Sequence, residues 1–135
     1  MKMIITETKH GTPEALQAEE FLRPSTKARK YSSRYVALQV FKSPDARILL
    51  AHTSRGKLIG CASFRDTPDG VQRINTAALI KGRGIGSALV SRITELTNSR
   101  PQWCKSAPSA NRFCERLGMK RIETRPDGLV LYRSA

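Results

Sequence analysis

Apolar and polar positions change rhythm several times along this chain, and each rhythm predicts an element. Met3, Ile4 and Ile5 predict a first strand over residues 1–6. Thr12 is then placed as a helix N-cap, with Pro13 at the first helical position and Glu14 in the first turn. That helix is expected to reach about Leu22, with Pro24 just beyond it. Residues 25–34 are polar and basic, and predict a loop or the start of a helix. Residues 35–41 fit two patterns. Val36, Leu38 and Val40 alternate as in a strand, while Val36, Ala37, Val40 and Phe41 share one helical face. Both stay open at this point.

Beyond a turn at Pro44-Asp45, residues 47–53 and 57–65 predict two strands joined at Ser54-Arg55-Gly56. A second turn spans residues 66–70, and a further strand is expected from Val71 to about Ala78. Ile85, Leu89, Ile93 and Leu96 recur at spacings of three and four, so a helix is expected over 84–97. Asn98-Ser99-Arg100-Pro101 stops it. A short strand at 103–106 and a helix at 109–117 follow, with Gly118 as the helix stop. Residues 119–124 and 129–132 close the chain as two strands around Pro126-Asp127-Gly128. The order is strand, helix, open segment, three strands, helix, strand, helix, two strands. It predicts a mixed sheet with helices packed on it.

Length and composition narrow this picture. The 135 residues suit one domain. No apolar run approaches the ~20 residues of a membrane span, and residues 1–10 lack a signal-peptide pattern, so a soluble, cytoplasmic protein is expected. Cys61, Cys104 and Cys114 show no C-x-x-C pairing, and His10 and His52 lie far apart. Neither a disulfide framework nor a metal centre is expected. Cys61 sits in an apolar run as a small core residue. The formal net charge of +13 attracts polyanions. Nucleic acid, a phosphorylated cofactor or an acidic surface would each suit it, as would a plain soluble exterior.

The segment Ile80-Lys81-Gly82-Arg83-Gly84-Ile85-Gly86-Ser87 joins a predicted strand to a predicted amphipathic helix. Its glycines let backbone approach a ligand closely. Free N–H groups and the helix dipole at a helix start favour an anion. Lys81 and Arg83 add counter-charge. This chemistry suits a pyrophosphate. The spacing is not that of a P-loop, and antiparallel-looking hairpins precede the turn where a dinucleotide fold would place parallel strands.

Here the sequence resembles the GNAT superfamily of acetyl-CoA-dependent N-acetyltransferases. That family's signature, Q/R-x-x-G-x-G/A, is matched by Gly84 and Gly86, with Lys81 standing at the Gln/Arg position. A downstream pattern ending in Gly-Phe is matched in spacing by residues 107–119, with Ala110, Phe113 and Gly118 in agreement. The resemblance implies an α+β fold, with a mixed central sheet of six to seven strands splayed between the fourth and fifth and helices on both faces. It covers nearly the whole chain as one domain, 1–135. It also implies acetyl-CoA as cosubstrate and direct attack of an amine on the thioester. Backbone near Asn75, Thr76 and Ala78 would hold the pantetheine arm. Lys81, Gly82, Arg83, Gly84, Ile85, Gly86 and Ser87 would hold the pyrophosphate, and a backbone N–H of the fourth strand would face the oxyanion.

Three positions depart from the family pattern. Lys81 replaces Gln or Arg, Ala107 replaces Asn, and Cys114 replaces the Tyr that protonates the departing thiolate. Cys114, by its thiol, and Asn75, on the fourth strand, are the candidate catalytic residues; packing in the cleft is the alternative for Cys114. Gln72, Arg73, Asn75 and Thr76 include no carboxylate to act as base, and Asp66, Asp69 and His52 lie nearby. Three functions compete: an N-acetyltransferase of unknown acceptor, a relative acting on aminoacyl-tRNA or a DNA base, and a non-catalytic module binding CoA or nucleic acid. An oligomer is compatible with all three.

Overall fold

The computed structural model describes residues 2–22, 45–80, 82–106 and 110–134. The open segment 35–41, the basic stretch 25–34, Lys81 and residues 107–109 lie outside them. The elements run β1 (Met3–Lys9), α1 (Pro13–Leu22), β2 (Arg47–Thr53), β3 (Leu58–Thr67), β4 (Gly70–Ala78), α2 (Ile85–Leu96), β5 (Gln102–Ser106), α3 (Asn111–Arg116), β6 (Lys120–Thr124) and β7 (Val130–Arg133). Among the described residues the strands form one seven-stranded sheet in the order β1-β2-β3-β4-β5-β7-β6. Every neighbouring pair is antiparallel except β4 and β5, which are parallel. The α+β architecture expected from the sequence is the one observed.

Local signals explain most boundaries. The Thr12 hydroxyl accepts the Ala15 N–H at 3.1 Å and so caps α1. Gly56 and Gly128 take positive φ in the turns where the hairpins reverse. Two strands run two or more residues past their expected ends. β1 continues to Lys9 because Glu7, Thr8 and Lys9 complete a ladder with Leu49, Ile48 and Arg47. The Arg47 guanidinium locks that end, donating to both Glu7 carboxylate oxygens at 2.8 and 3.0 Å. β3 continues to Thr67, which pairs with Gly70, so the expected five-residue turn shrinks to Pro68-Asp69. In both cases backbone pairing prolongs a strand past its apolar residues.

Alternation on the central strands sorts the core into two faces. Leu49, Ala51, Ala62, Phe64 and Val71 meet Ile85, Leu89 and Ile93 of α2 on one face. Ile48, Leu50 and Cys61 meet Ala15 and Ala18 of α1 on the other. Cys61 is thus the small core residue that its apolar neighbours predict. A third cluster, Cys104, Cys114, Met119, Val130 and Tyr132, seats α3 on β5 and β7.

Gly60 lets α2 approach β3. A Cβ there would stand 2.6 Å from Ile85 Cγ2 and 3.0 Å from the Ala77 carbonyl oxygen. Gly60→Ala is therefore expected to lower unfolding stability by about 1–3 kcal/mol, the cost of overpacking. A shift of the urea midpoint at unchanged slope would show it, and an unchanged midpoint would contradict this packing account.

Candidate functional site

The sheet opens where its parallel pair diverges. β4 and β5 are in register only at Val71–Gln102 and Gln72–Trp103, although β4 continues to Ala78 and β5 to Ser106. Just past that point β4 carries a bulge. Phe64 pairs with Arg73 and Ser63 with Asn75, so Ile74 is the extra residue. The splay expected between the fourth and fifth strands is present. From Ile74 onward the edge of β4 away from β3 faces a gap instead of a second partner strand.

The glycine-rich turn stands beside this gap. Gly82 and Gly84 have φ of 78° and 76°, a left-handed conformation that favours glycine, and a Cβ on either would meet open space. Gly84 is the N-cap of α2 and no side chain caps the helix. The first amides of α2, from Ile85, Gly86 and Ser87, precede the first helical bond, Ala88 N–H to the Gly84 carbonyl at 3.0 Å. Ile85 anchors the turn by burying its side chain in the core, while Gly82, Arg83, Gly84 and Ser87 are exposed.

Gly86 has a different reason to be glycine. A Cβ there would lie 3.2 Å from two atoms of the Phe113 ring and 3.6 Å from Thr76 Cγ2. The start of α2 is thereby pressed between α3 and β4. The two sequence patterns around Gly86 and Phe113 meet in space at this contact. Thr76 and Ala78 lie on the α2 face of β4, and Asn75 is placed by its backbone pairing with Ser63. Lys81 falls outside the described residues.

Cys114 has partners that the sequence did not announce. Its Sγ lies 3.6 Å from Cys104 Sγ, and the two residues are 4% and 7% exposed. Arg73, 5% exposed, turns its guanidinium onto them, donating to Cys104 Sγ at 3.7 Å and to Met119 Sδ. Its Nε has no hydrogen-bond partner, and among the described residues no carboxylate pairs with it. The sequence held one signal for this cluster, an arginine at an inward position two residues after the core residue Val71.

This arrangement splits the two thiols. Cys114 is pulled down to about 6 by the hydrogen bond from Cys104, with Ser106 and the Arg73 charge acting in the same direction against burial. Cys104 is pushed up by its bond to Cys114 and by burial. The pair therefore shares a proton, with Cys114 shifted toward the thiolate and Cys104 toward the thiol.

A cavity of about 250 Å³ opens between α2 and the start of β5. Arg73, Thr94, Arg100, Gln102 and Met119 are among its walls. Arg100 is already engaged, donating to Asp66 Oδ1 at 2.9 Å and to the Thr67 carbonyl at 2.8 Å.

Comparison with known proteins agrees with the geometry. The chain belongs to the Acetyltransferase (GNAT) family, whose sequence pattern it matches over residues 13–119. Solved structures with this fold include an acyl-CoA N-acyltransferase from Pseudomonas aeruginosa, 18% identical, at a TM-score of 0.70 over 99% of this chain and 100% of that one. The catalytic domain of the Tetrahymena GCN5 histone acetyltransferase, solved in complex with coenzyme A, is 15% identical at 0.71 over 99% and 94%. The ribosomal-protein-S18-alanine N-acetyltransferase of Escherichia coli is 15% identical at 0.69 over 97% and 93%. No curated protein sequence matches the chain. No described helix is long and apolar enough to cross a membrane.

The thiol pair generates a titration prediction. Because the Cys114 value is depressed on folding, its ionisation stabilises the fold above the ordinary thiol range. That contribution is lost as pH falls from about 9 through about 6. Thiolate ultraviolet absorbance of the native protein should show one group titrating near pH 6, and Cys114→Ser should abolish that step. Three thiols all titrating in the ordinary range would contradict the shared-proton arrangement.

Proposed function

We propose that this protein is an acetyl-CoA-dependent N-acetyltransferase. The observation that carries the reading is the gap between β4 and β5 opening directly beside the uncapped, glycine-lined start of α2. The amides from Gly82 to Ser87 suit a pyrophosphate, with Arg83 and Lys81 supplying counter-charge. The edge of β4 that faces β5, around Asn75, Thr76 and Ala78, has no strand partner and suits the amide-bearing pantetheine arm, which needs hydrogen-bond partners of the kind a missing strand would provide.

The chemistry requires an amine nitrogen to attack the thioester carbonyl, carbon–nitrogen bond formation, and departure of the CoA thiolate. Asn75 follows the bulge at Ile74, which makes backbone at this point the oxyanion donor in this reading. Cys114 contributes in a different way from the tyrosine it replaces. Its thiol is shifted toward the ionised form by Cys104 and Arg73, which makes it a poor proton donor. The departing thiolate is then protonated by solvent. A neutral amine, such as an aminoacyl α-amine or an aromatic exocyclic amine, makes the least demand on a base. The net charge of +13 puts amines carried on polyanions, including aminoacyl-tRNA and DNA, in the acceptor class to be tried.

The test is acetyl-CoA turnover against polyamines, peptides, charged tRNA and DNA, preceded by thermal unfolding with acetyl-CoA. Ligand at a hundredfold excess over Kd should stabilise the fold by about 2.7 kcal/mol. No thermal shift and no acetylated product would overturn the reading; a shift without product would indicate a binding module. Cys114→Ala, compared per folded molecule, should keep turnover within about threefold of the parent. A loss of about 10²-fold or more would instead assign the thiol the part of a general acid.

A further inference from the structure

We propose that Cys104 and Cys114 form a dithiol redox centre that hydroperoxides convert to a disulfide bonding β5 to α3. A guanidinium as buried as Arg73 is expensive without a counter-ion, by several kcal/mol. No carboxylate of the described residues meets it, and its neighbours are three sulfurs, those of Cys104, Cys114 and Met119. Of these only the two thiols can ionise. The neutral arrangement of this cluster is therefore one guanidinium, one thiolate and one thiol, and the short contact between the cysteines holds the remaining proton. Cys104 and Arg73 thus shift Cys114 toward its nucleophilic form inside the protein.

The second thiol is already in place to resolve an oxidised first one. The sulfurs are 3.6 Å apart on adjoining elements, and a disulfide needs ~2.05 Å, so the pair has about 1.5 Å to close. The third cysteine, Cys61, packs on the opposite face of the sheet against α1 and takes no part. The cavity beside α2 reaches Arg73 and Met119, the two side chains linked to the thiol pair, and neither cysteine is among its walls, so a peroxide enters from it only as these side chains move aside. Its size admits hydrogen peroxide.

The steps balance. The Cys114 thiolate attacks one peroxide oxygen, the O–O bond breaks, and hydroxide leaves, producing a sulfenic acid at Cys114. The Cys104 sulfur then attacks that sulfur. The S–S bond forms, the S–O bond breaks, and hydroxide departs with the Cys104 proton as water. Two electrons pass from the thiol pair to the peroxide, and an external dithiol reverses the process.

The experiment treats the full chain with hydrogen peroxide and follows free thiols, intact mass and disulfide-linked peptides. The expected result is loss of two of the three thiols and of two hydrogen atoms in mass, with Cys104 and Cys114 in one linked peptide pair, all restored by dithiothreitol. Cys61→Ser should form the same linkage. Cys104→Ser should instead accumulate a sulfenic acid at Cys114 that a dimedone probe traps. The oxidation rate of the parent should rise with pH around 6, where a pair of ordinary thiols would respond near 8.5. Retention of all three thiols, linkage involving Cys61, or peroxide modification that leaves Cys104 and Cys114 unlinked would overturn the proposal. These readouts need neither acetyl-CoA nor an acceptor, so they stand or fall apart from the acetyltransferase reading.

Discussion

Parallel β4 and β5 share their ladder only at Val71–Gln102 and Gln72–Trp103, and beyond that point the polar groups on the β5-facing edge of β4 must find partners elsewhere. Unpaired N–H and C=O groups in the middle of a sheet are costly unless water or a ligand meets them. The antiparallel frame on either side is what keeps the fork open. β1 to β4 are held as one block over the α1 and α2 cores, while β5, β7 and β6 form a second block over the α3 cluster. The bulge at Ile74 increases the local twist where the two blocks part.

Close packing at two glycines then brings the helix start to the fork. Gly60 admits Ile85 and Leu89 against β3, and Gly86 admits Phe113 and Thr76 against the first turn of α2. The exposed amides of that turn are consequently held on rigid elements, where a recognition site has the least to lose in ordering on binding. Arg73 lies one residue before the bulge and brings a charge into the same region. Its compensation by sulfur couples β4, β5 and α3 through one polar cluster, and polar clusters of this kind are sensitive to the loss of any member.

The element order was legible because its signals are local. Thr12-Pro13-Glu14, the Ile85–Leu89–Ile93 stripe and the turn residues around Gly56 and Gly128 each act within a few positions. The parts that were not legible depend on pairing at a distance. The continuation of β1 to Lys9 rests on β2 residues some forty positions away, and the Arg47–Glu7 ion pair spans the same separation. The site divides in the same way. The glycine turn and Phe113 were readable as motifs, and their positions agree with the geometry. The partners of Cys114 were not, since Arg73, Cys104 and Met119 converge on it from three segments with no spacing of their own. A tyrosine replaced by cysteine looks in sequence like one missing acid, whereas in the fold it is half of a thiol pair.

In the proposed function the β4–β5 gap and the start of α2 together receive acetyl-CoA. Amide hydrogen exchange with and without acetyl-CoA tests it at the residues concerned. The account predicts slowed exchange in two separate segments, 74–78 on β4 and 82–87 at the glycine turn, with β1 and β6 unchanged. Unaltered exchange in both segments at saturating acetyl-CoA, or slowing confined to some other surface, would contradict it.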